Sequence, residues 1–523
     1  MQRALVIAIV LGLSMIVGPV SLTTAQGDTD IDRRPVEDAL FGLRSVVPAD
    51  WQDGGPGIYA RGTPPADLAL IAIQSAAVTS EQVWPSLLPQ LALSDIPEVT
   101  GAFSSDSFDW TLYRVNVNMP GIEVAVEVAM AEAEGSTYIV LMQSEPSEFE
   151  VLRAQVLLPT LEATAPLLPE PTPHPSTFDY QIEEVEFPGG SEGVELAGTL
   201  TLPPGPGPHP LVVLMSGSGP QDRDESLRPL TTLKPFALIA DALTSAGVGV
   251  LRYDDRGVGG SSGDYAAATV SELASDGRAA IDYARSRDDV DPERIGIFGH
   301  SEGGLYAAML GAEDPQIAFI VSMAGPAVNG VDLLVAQNEA ILRSSGETEE
   351  EIGFAVAFAE ATLPLVRDGD VAAIDAISRD YYGGVWDRQS AEQRVVLGAR
   401  DAFIERSLAT QSQAYASDWF PSLLAYDVGT DWERVTVPVL GLLGAKDVQV
   451  VLDQNEPALR AALETAGNED FEIVIFPNGN HLFQEAVTGA VAEYSDLEPA
   501  FTPDFLPTIV DWVTARVGLG EQG

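Results

Sequence analysis

From residue 209 to residue 325 short apolar runs alternate with segments of helical spacing, and no other feature limits the fold of this chain so strongly. "HPLVVLMSG" (209–217) precedes "PFALIADALTSAG" (235–247), "VGVLRYD" (248–254) and "TVSELASDGRAAIDYARSR" (269–287). "RIGIFGH" (294–300), a helical stretch from Ser301 and "IAFIVSMAG" (317–325) follow. Continuous Val, Ile and Leu runs of strand length are what strands covered on both faces look like. Their alternation with helices predicts an α/β fold, a mostly parallel sheet with helices on both faces. The pattern stops after Gly325 and resumes with "VPVLGLLG" (437–444), "PALRAALETAG" (457–467), "FEIVIF" (471–476) and a last helix near "LPTIVDWVTARV" (506–517).

The strand "RIGIFGH" runs straight into Gly299-His300-Ser301-Glu302-Gly303, which opens a helix. A serine between glycines at minus two and plus two, on a strand-to-helix turn, is the setting of a nucleophile elbow. Side chains at either glycine position would collide across so tight a turn. The motif alone also allows a plain helix entry with a capping serine, so partners decide the matter.

A serine hydroxyl is a weak nucleophile and needs a base. The chain has four histidines, His174, His209, His300 and His481. His174 lies in a Pro-rich stretch, His209 precedes a strand, and His300 adjoins the serine and should point away from it. His481, in "FPNGNHLF" after the last strand, can be carried back over the carboxyl ends of the sheet. A base wants a carboxylate to fix its tautomer. Asp447, in the loop after "VPVLGLLG", comes after Ser301 and before His481 in the chain, each behind its own strand. Asp453 and Glu456 are the alternatives. For an oxyanion hole, backbone N–H groups must face the developing alkoxide. The Glu302 amide, at the helix start, and the Ser218 amide, in "SGSGPQDRDE" (216–225), are the expected donors. Asp222, Arg223 and Asp224 are expected to form an ion-paired rim.

Taken together, "SGSGPQDRDE", "RYDDRGVGGSSG", "GHSEGG" and "GNH" resemble the α/β-hydrolase superfamily, with most similarity to bacterial carboxylesterases of its esterase D-like, serine-aminopeptidase-related branch. The resemblance spans about residues 180–520. It implies Ser301 as nucleophile, Asp447 as acid, His481 as base and a structural role for Asp254 to Gly257.

Composition and the flanking segments set the organisation. "ATAPLLPEPTPHPST" (163–177) carries five prolines and reads as a semi-rigid spacer. Residues 27–162 before it hold strand-like runs at 68–76, 110–118, 122–133 and 136–144 and a helical run at 147–161, the pattern of a small α+β accessory domain. The runs at 110–118 and 122–133 alternate as half-buried antiparallel strands do. Residues 178–523 form the catalytic domain, with a helical cap at about 326–431. Residues 1–25 read as a Sec-type signal peptide with cleavage after Ala25, which implies a secreted or extracytoplasmic protein. Its apolar run is short of the ~20 residues of a bilayer span, so membrane association is expected only if the leader stays uncleaved. Lys+Arg number 27 against 78 Asp+Glu, a net charge of −51. A polyanion of that size repels nucleic acid.

The cap reads as helical from the three-to-four spacing in "VDLLVAQNEAILRSSG" (331–346), "EEIGFAVAFAEATLPLV" (350–366) and "SAEQRVVLGARDAFIERSL" (390–408). Thr348 and Glu351 read as a capping box. The expected position of the cap is over Ser301, with Phe354, Tyr381, Trp386 and Trp419 as candidate substrate-binding aromatics and Phe358, Tyr382 and Phe420 as further candidates. The sequence therefore predicts a serine hydrolase that cleaves small-molecule carboxylic esters through an acyl-enzyme, with no metal or organic cofactor. An exopeptidase or amidase with the same triad and an inactive hydrolase-fold binding module are the alternatives.

Overall fold

The computed structural model describes residues 31–519 except 39–40, 56, 63–66, 77–78, 89–90, 92, 94, 120–121, 134–135, 168–178, 228–230, 391–393, 395–396 and 398. The leader at 1–25 and most of the 163–177 spacer lie outside the described residues. By residue contacts the chain divides into two compact units, Met1–His174 with Gly383–Thr410, and Pro175–Tyr382 with Gln411–Gly523.

The first unit is antiparallel. Strands β1 (Arg33–Asp38), β2 (Leu43–Pro48) and β10 (Ala165–Pro166) form a small sheet. A seven-stranded sheet runs β3 (Gln52–Gly55), β4 (Ile58–Ala60), β5 (Leu70–Ala76), β9 (Ser136–Ser144), β8 (Ile122–Ala133), β7 (Asp109–Met119), β6 (Gly101–Ser104). Helix α1 (Ser80–Leu87) packs Val83, Trp84 and Leu87 with Val124, Val126 and Val128 of β8. The helical run from α2 (Phe149–Leu152) to α3 (Leu158–Ala163) packs Phe149, Leu152 and Val156 with Ala125, Ala129 and Ala131 of the same strand. The alternation of β8 therefore separates large from small side chains, and both of its faces are covered along 124–131. That corrects the half-buried expectation for this strand. Glu127, the acid in that row, is 2% exposed and is neutralised by Arg114 at 2.8 Å and Arg153 at 2.9 Å.

The second unit is an eight-stranded sheet in the order β11 (Gln181–Pro188), β12 (Glu195–Leu202), β14 (Gly249–Tyr253), β13 (His209–Met215), β15 (Val290–His300), β16 (Ile320–Met323), β17 (Val439–Gly444), β18 (Phe471–Phe476). β12 is antiparallel to both neighbours, and every pair from β14 to β18 is parallel. The strand period of two splits β13 between layers. Leu211, Val213 and Met215 pack with α5 (Val270–Arg285) and α6 (Glu302–Glu313). Val212 and Leu214 pack with α4 (Pro235–Ser245) and the C-terminal α14 (Phe505–Arg516). This is the α/β-hydrolase fold, preceded by a small sheet domain and interrupted by helices between β16 and β17.

The interruption contains α7 (Gly330–Ser344), α8 (Glu349–Asp368), α9 (Val371–Arg388), α10 (Arg400–Tyr415), α11 (Trp419–Ala425) and α12 (Gly429–Trp432); α13 (Leu452–Thr465) follows β17. Thr348 and Glu351 form the expected capping box on α8, and Gly369 closes that helix at φ 73°. The predicted helix at 390–408 is described as regular helix only from Arg400, and α9 was not expected. No helix among the described residues is long and apolar enough to cross a membrane.

Candidate active site

Three loops leave the carboxyl ends of β13, β15 and β17, and a fourth follows β18. Ser301 follows β15 directly with φ 53° and ψ −118°, a conformation that a non-glycine residue adopts only when its surroundings hold it there. The neighbours explain the glycines. A Cβ on Gly299 would strike the Gly303 carbonyl, and one on Gly303 would strike the carbonyl of Met215. A Cβ on Gly217 would sit 3.1 Å from the Ser301 Cβ, so the turn after β13 lies against the serine. Behind Ser301, α6 is buried from Glu302 to Gly311, which fixes the elbow in the core.

Asp447 and His481 are brought together from two loops. His481 Nδ1 donates to Asp447 Oδ2 at 2.8 Å, and both side chains are buried. The other Asp447 oxygen accepts the Gln449 amide at 2.7 Å and the Val450 amide at 2.9 Å. With Nδ1–H committed to a carboxylate, Nε2 is left as the acceptor, the tautomer a general base needs. The loops are laced by backbone bonds from Ala445 to Phe476 and from Lys446 to Gly479, each 2.9 Å. Asn480 holds the turn by accepting the Leu482 and Gln484 amides at 3.0 and 2.9 Å. The His481 ring lies 4.8 Å from that of His300, the residue before Ser301. Asp453 and Glu456, the alternative acids, lie on α13, where Glu456 pairs with Arg460 at 2.6 Å.

The turn after β13 is held by acids and a phenol. The Gly217 amide donates to Glu225 Oε1 at 2.8 Å, and the Gly219 amide to the Tyr265 hydroxyl at 2.9 Å, so Ser218 sits between two anchored residues. Glu302 provides the first amide of α6, one of the N–H groups a helix leaves without an internal partner. Its side chain is buried and accepts from Tyr306 at 2.7 Å, Trp419 Nε1 at 2.8 Å and Tyr265 at 3.4 Å. Burial outweighs those donors and raises the Glu302 carboxyl to about 7.

The expected rim is present in part. Arg223 pairs with Asp254 at 2.7 Å, and Asp224 with Arg252 at 2.9 Å and Lys234 at 3.0 Å. Asp222 instead caps the amides of Asp224 and Ser226. Arg256 forms a buried ion pair with Asp276, and Gly257 takes φ 73° where a Cβ would crowd the Gly263 carbonyl.

The four candidate pocket aromatics separate. Trp419 on α11 is tied to Glu302 beside the elbow, and α11 is pinned to the loop after β14 by Asp418 N–H to Ala266 O at 3.1 Å and to the start of α5 by Val270 N–H to Ser422 Oγ at 2.9 Å. Between α8 and α9, Tyr381 stacks with Phe354 at 4.8 Å and with Phe358 at 3.9 Å. Trp386 carries the Arg394 guanidinium at 4.6 Å. Sequence reasoning missed Glu225, Tyr265 and Tyr306 as parts of this site. Glu225 closes the "QDRDE" run, and its single available signal was that this run follows a strand ending beside the elbow.

Residues 190–483 match the profile of the X-Pro dipeptidyl-peptidase (S15) family. Esterase EstD of Thermotoga maritima is 25% identical over 79% of this chain and 81% of its own length. The quorum-quenching protein AidA of Acinetobacter baumannii is 27% identical over 38% of this chain and 62% of its own. The solved Pyrococcus furiosus esterase Pf2001 is 14% identical, covers 64% of this chain and 91% of that one, and has a TM-score of 0.39.

Proposed function

We propose that this chain, which belongs to the S15 family and so to the α/β-hydrolases, cleaves small-molecule carboxylic esters through an acyl-enzyme formed on Ser301. His481 takes the Ser301 proton as the hydroxyl attacks the ester carbonyl. It then returns that proton to the departing alcohol and activates the water that releases the acid. Asp447 holds the imidazole and stabilises its charged form. The amides of Glu302 and Ser218 take the oxyanion. The observation that carries this reading is the 2.8 Å His481–Asp447 bond beside a serine held at φ 53°. The similarity to EstD across most of both chains supports the ester class.

The S15 match supports a second reading, a peptidase with the same groups. Such an enzyme wants a carboxylate for the free amine of its substrate. The two acids that flank Ser301 are both engaged within the protein, Glu302 by three donors and Glu225 by His300 and Gly217. That supports the ester reading. The leader at 1–25 supports export, which the N-terminal sequence of the mature protein tests.

Turnover of p-nitrophenyl esters of graded chain length, beside X-Pro and aminoacyl anilides, separates the readings. Esters should turn over and anilides should not, and Ser301→Ala should abolish the activity. Anilide turnover above ester turnover reverses the ranking.

A further inference from the structure

Beneath Ser301 lies a second imidazole–carboxylate pair that the proposed chemistry does not use. His300 and Glu225 have side chains 3% and 1% exposed, with Nδ1 and Oε1 2.7 Å apart. The other ring nitrogen, Nε2, lies 3.1 Å from the backbone carbonyl of His481. The same Glu225 oxygen accepts the Gly217 amide at 2.8 Å. One pair thus reaches the turn after β13, the end of β15 and the loop after β18. We propose that Glu225 and His300 are positioning residues that hold the His481 backbone and the Gly217–Ser218 turn in register with Ser301 by keeping one proton on each ring nitrogen of His300. The proposal rests on the reading of Ser301 and His481 as nucleophile and base.

Donor bookkeeping carries the inference. A carbonyl only accepts, so the bond to His481 O requires a proton on Nε2. Glu225 as a carboxylate likewise only accepts, from Gly217 and from the ring alike, so its short contact to Nδ1 requires a second ring proton. A neutral imidazole cannot supply both. Burial alone would favour the neutral ring, but the Glu225 charge, with a smaller contribution from Asp447, outweighs it and holds His300 protonated above the ordinary histidine range. The pair's other titratable neighbours are His481, whose ring lies 4.8 Å from that of His300, and Asp255, which is pushed well above the usual carboxylate range by its own burial and adds little charge. The chain retains this arrangement despite its drawbacks. Glu225 sits at φ 56°, and its second oxygen is buried without a hydrogen-bond partner. If packing alone mattered, an apolar residue would remove the orphaned oxygen and a glycine the backbone strain.

The test combines kinetics with the protonation state of the ring. Glu225→Gln keeps the shape but cannot hold the second ring proton as a carboxylate does, so either the Gly217 or the His481 bond is lost. His300→Gln can reach one side but not both. Each should lower kcat, counted per site titrated with a fluorophosphonate, by roughly 100-fold, the effect of a small misplacement of reacting groups. KM should stay within about threefold. A merely structural pair would lower the melting temperature and leave kcat per titrated site unchanged, and that result overturns the proposal. Should the variants not fold, ¹⁵N-histidine spectra of the full-length protein and its His481→Ala form decide. One imidazole should keep both ring nitrogens protonated at pH 8, and singly protonated rings throughout overturn the proposal. Retained activity in Ser301→Ala would instead overturn the reading beneath it.

Discussion

Trp419 Nε1 donates to Glu302 Oε1 at 2.8 Å, joining α11 of the inserted helices to the first residue of the helix behind Ser301. That bond ends on a carboxyl whose protonation should govern stability near neutral pH. A free glutamate titrates near 4.5 and the buried Glu302 at about 7. Below 4.5 both forms are protonated, and no penalty exists. As pH rises from 4.5 to 7 the unfolded chain ionises first, so the native state loses about 3 kcal/mol over that window and no more above it. Glu302→Gln should remove this decline, so the variant's advantage in urea unfolding should grow from pH 4.5 to 7.5. Parallel curves for the two proteins would defeat the assignment.

Trp419→Phe keeps an aromatic body on α11 but withdraws the indole N–H. The lost bond should destabilise the fold by roughly 1.5–3 kcal/mol when Glu302 is ionised and by less when it is neutral. The loss should therefore be larger at pH 8 than at pH 5. If α11 also walls the acyl pocket, the same substitution shifts ester chain-length preference, whereas Phe354→Ala, in the Phe358–Tyr381 stack, changes stability and leaves selectivity alone. Equal selectivity shifts from both would place the stack at the site too.

Ser301→Ala and His481→Ala should each lower kcat by roughly 10⁴ or more, because the members act as a unit. Asp447→Asn keeps the loop but presents an amide to Nδ1, which favours the wrong tautomer, and should be nearly as severe. Steady-state rates on a p-nitrophenyl ester measure all three. Near-normal turnover in Asp447→Asn would move the acid elsewhere.

The parallel half of the sheet was legible because each strand is covered on both faces and so reads as an unbroken apolar run, as in "VVLM" and "GIFG". β11 was not, because "QIEEVEFP" is an edge strand whose first four residues are exposed and mostly polar. β12, "ELAGTLTL", is buried, but its leucines are interleaved with Ala, Gly and Thr and form no unbroken apolar run. Helix α9 was hidden by Gly383 and Gly384 near its end. At the site, Ser301, Asp447 and His481 followed from strand ends and chain order, which are one-dimensional facts. The tie of Glu225 to His300 spans 75 residues and depends on a left-handed backbone at an acid, in a chain where acids are everywhere. Among the aromatics, spacing marked helical faces but could not say which face meets the elbow.

The elbow glycines offer a test of geometry that does not pass through chemistry. Gly299→Ala and Gly303→Ala each place a Cβ against backbone carbonyls, which cannot move aside as a flexible side chain can. Each should destabilise the fold by at least roughly 1–3 kcal/mol, as overpacking in a close-packed interior does, and should reduce the fraction of sites titratable by fluorophosphonate. Gly353 is the control. It lies inside α8, exposed, with nothing within 4 Å of an added Cβ. Gly353→Ala should stabilise by roughly 0.5–1 kcal/mol through helix propensity alone and leave labelling unchanged. Thermal melts and active-site titration on the three variants measure both effects. If Gly299→Ala melts like wild type and labels fully, the elbow accommodates a side chain, and the strained turn at Ser301 is not what the glycines are there to permit.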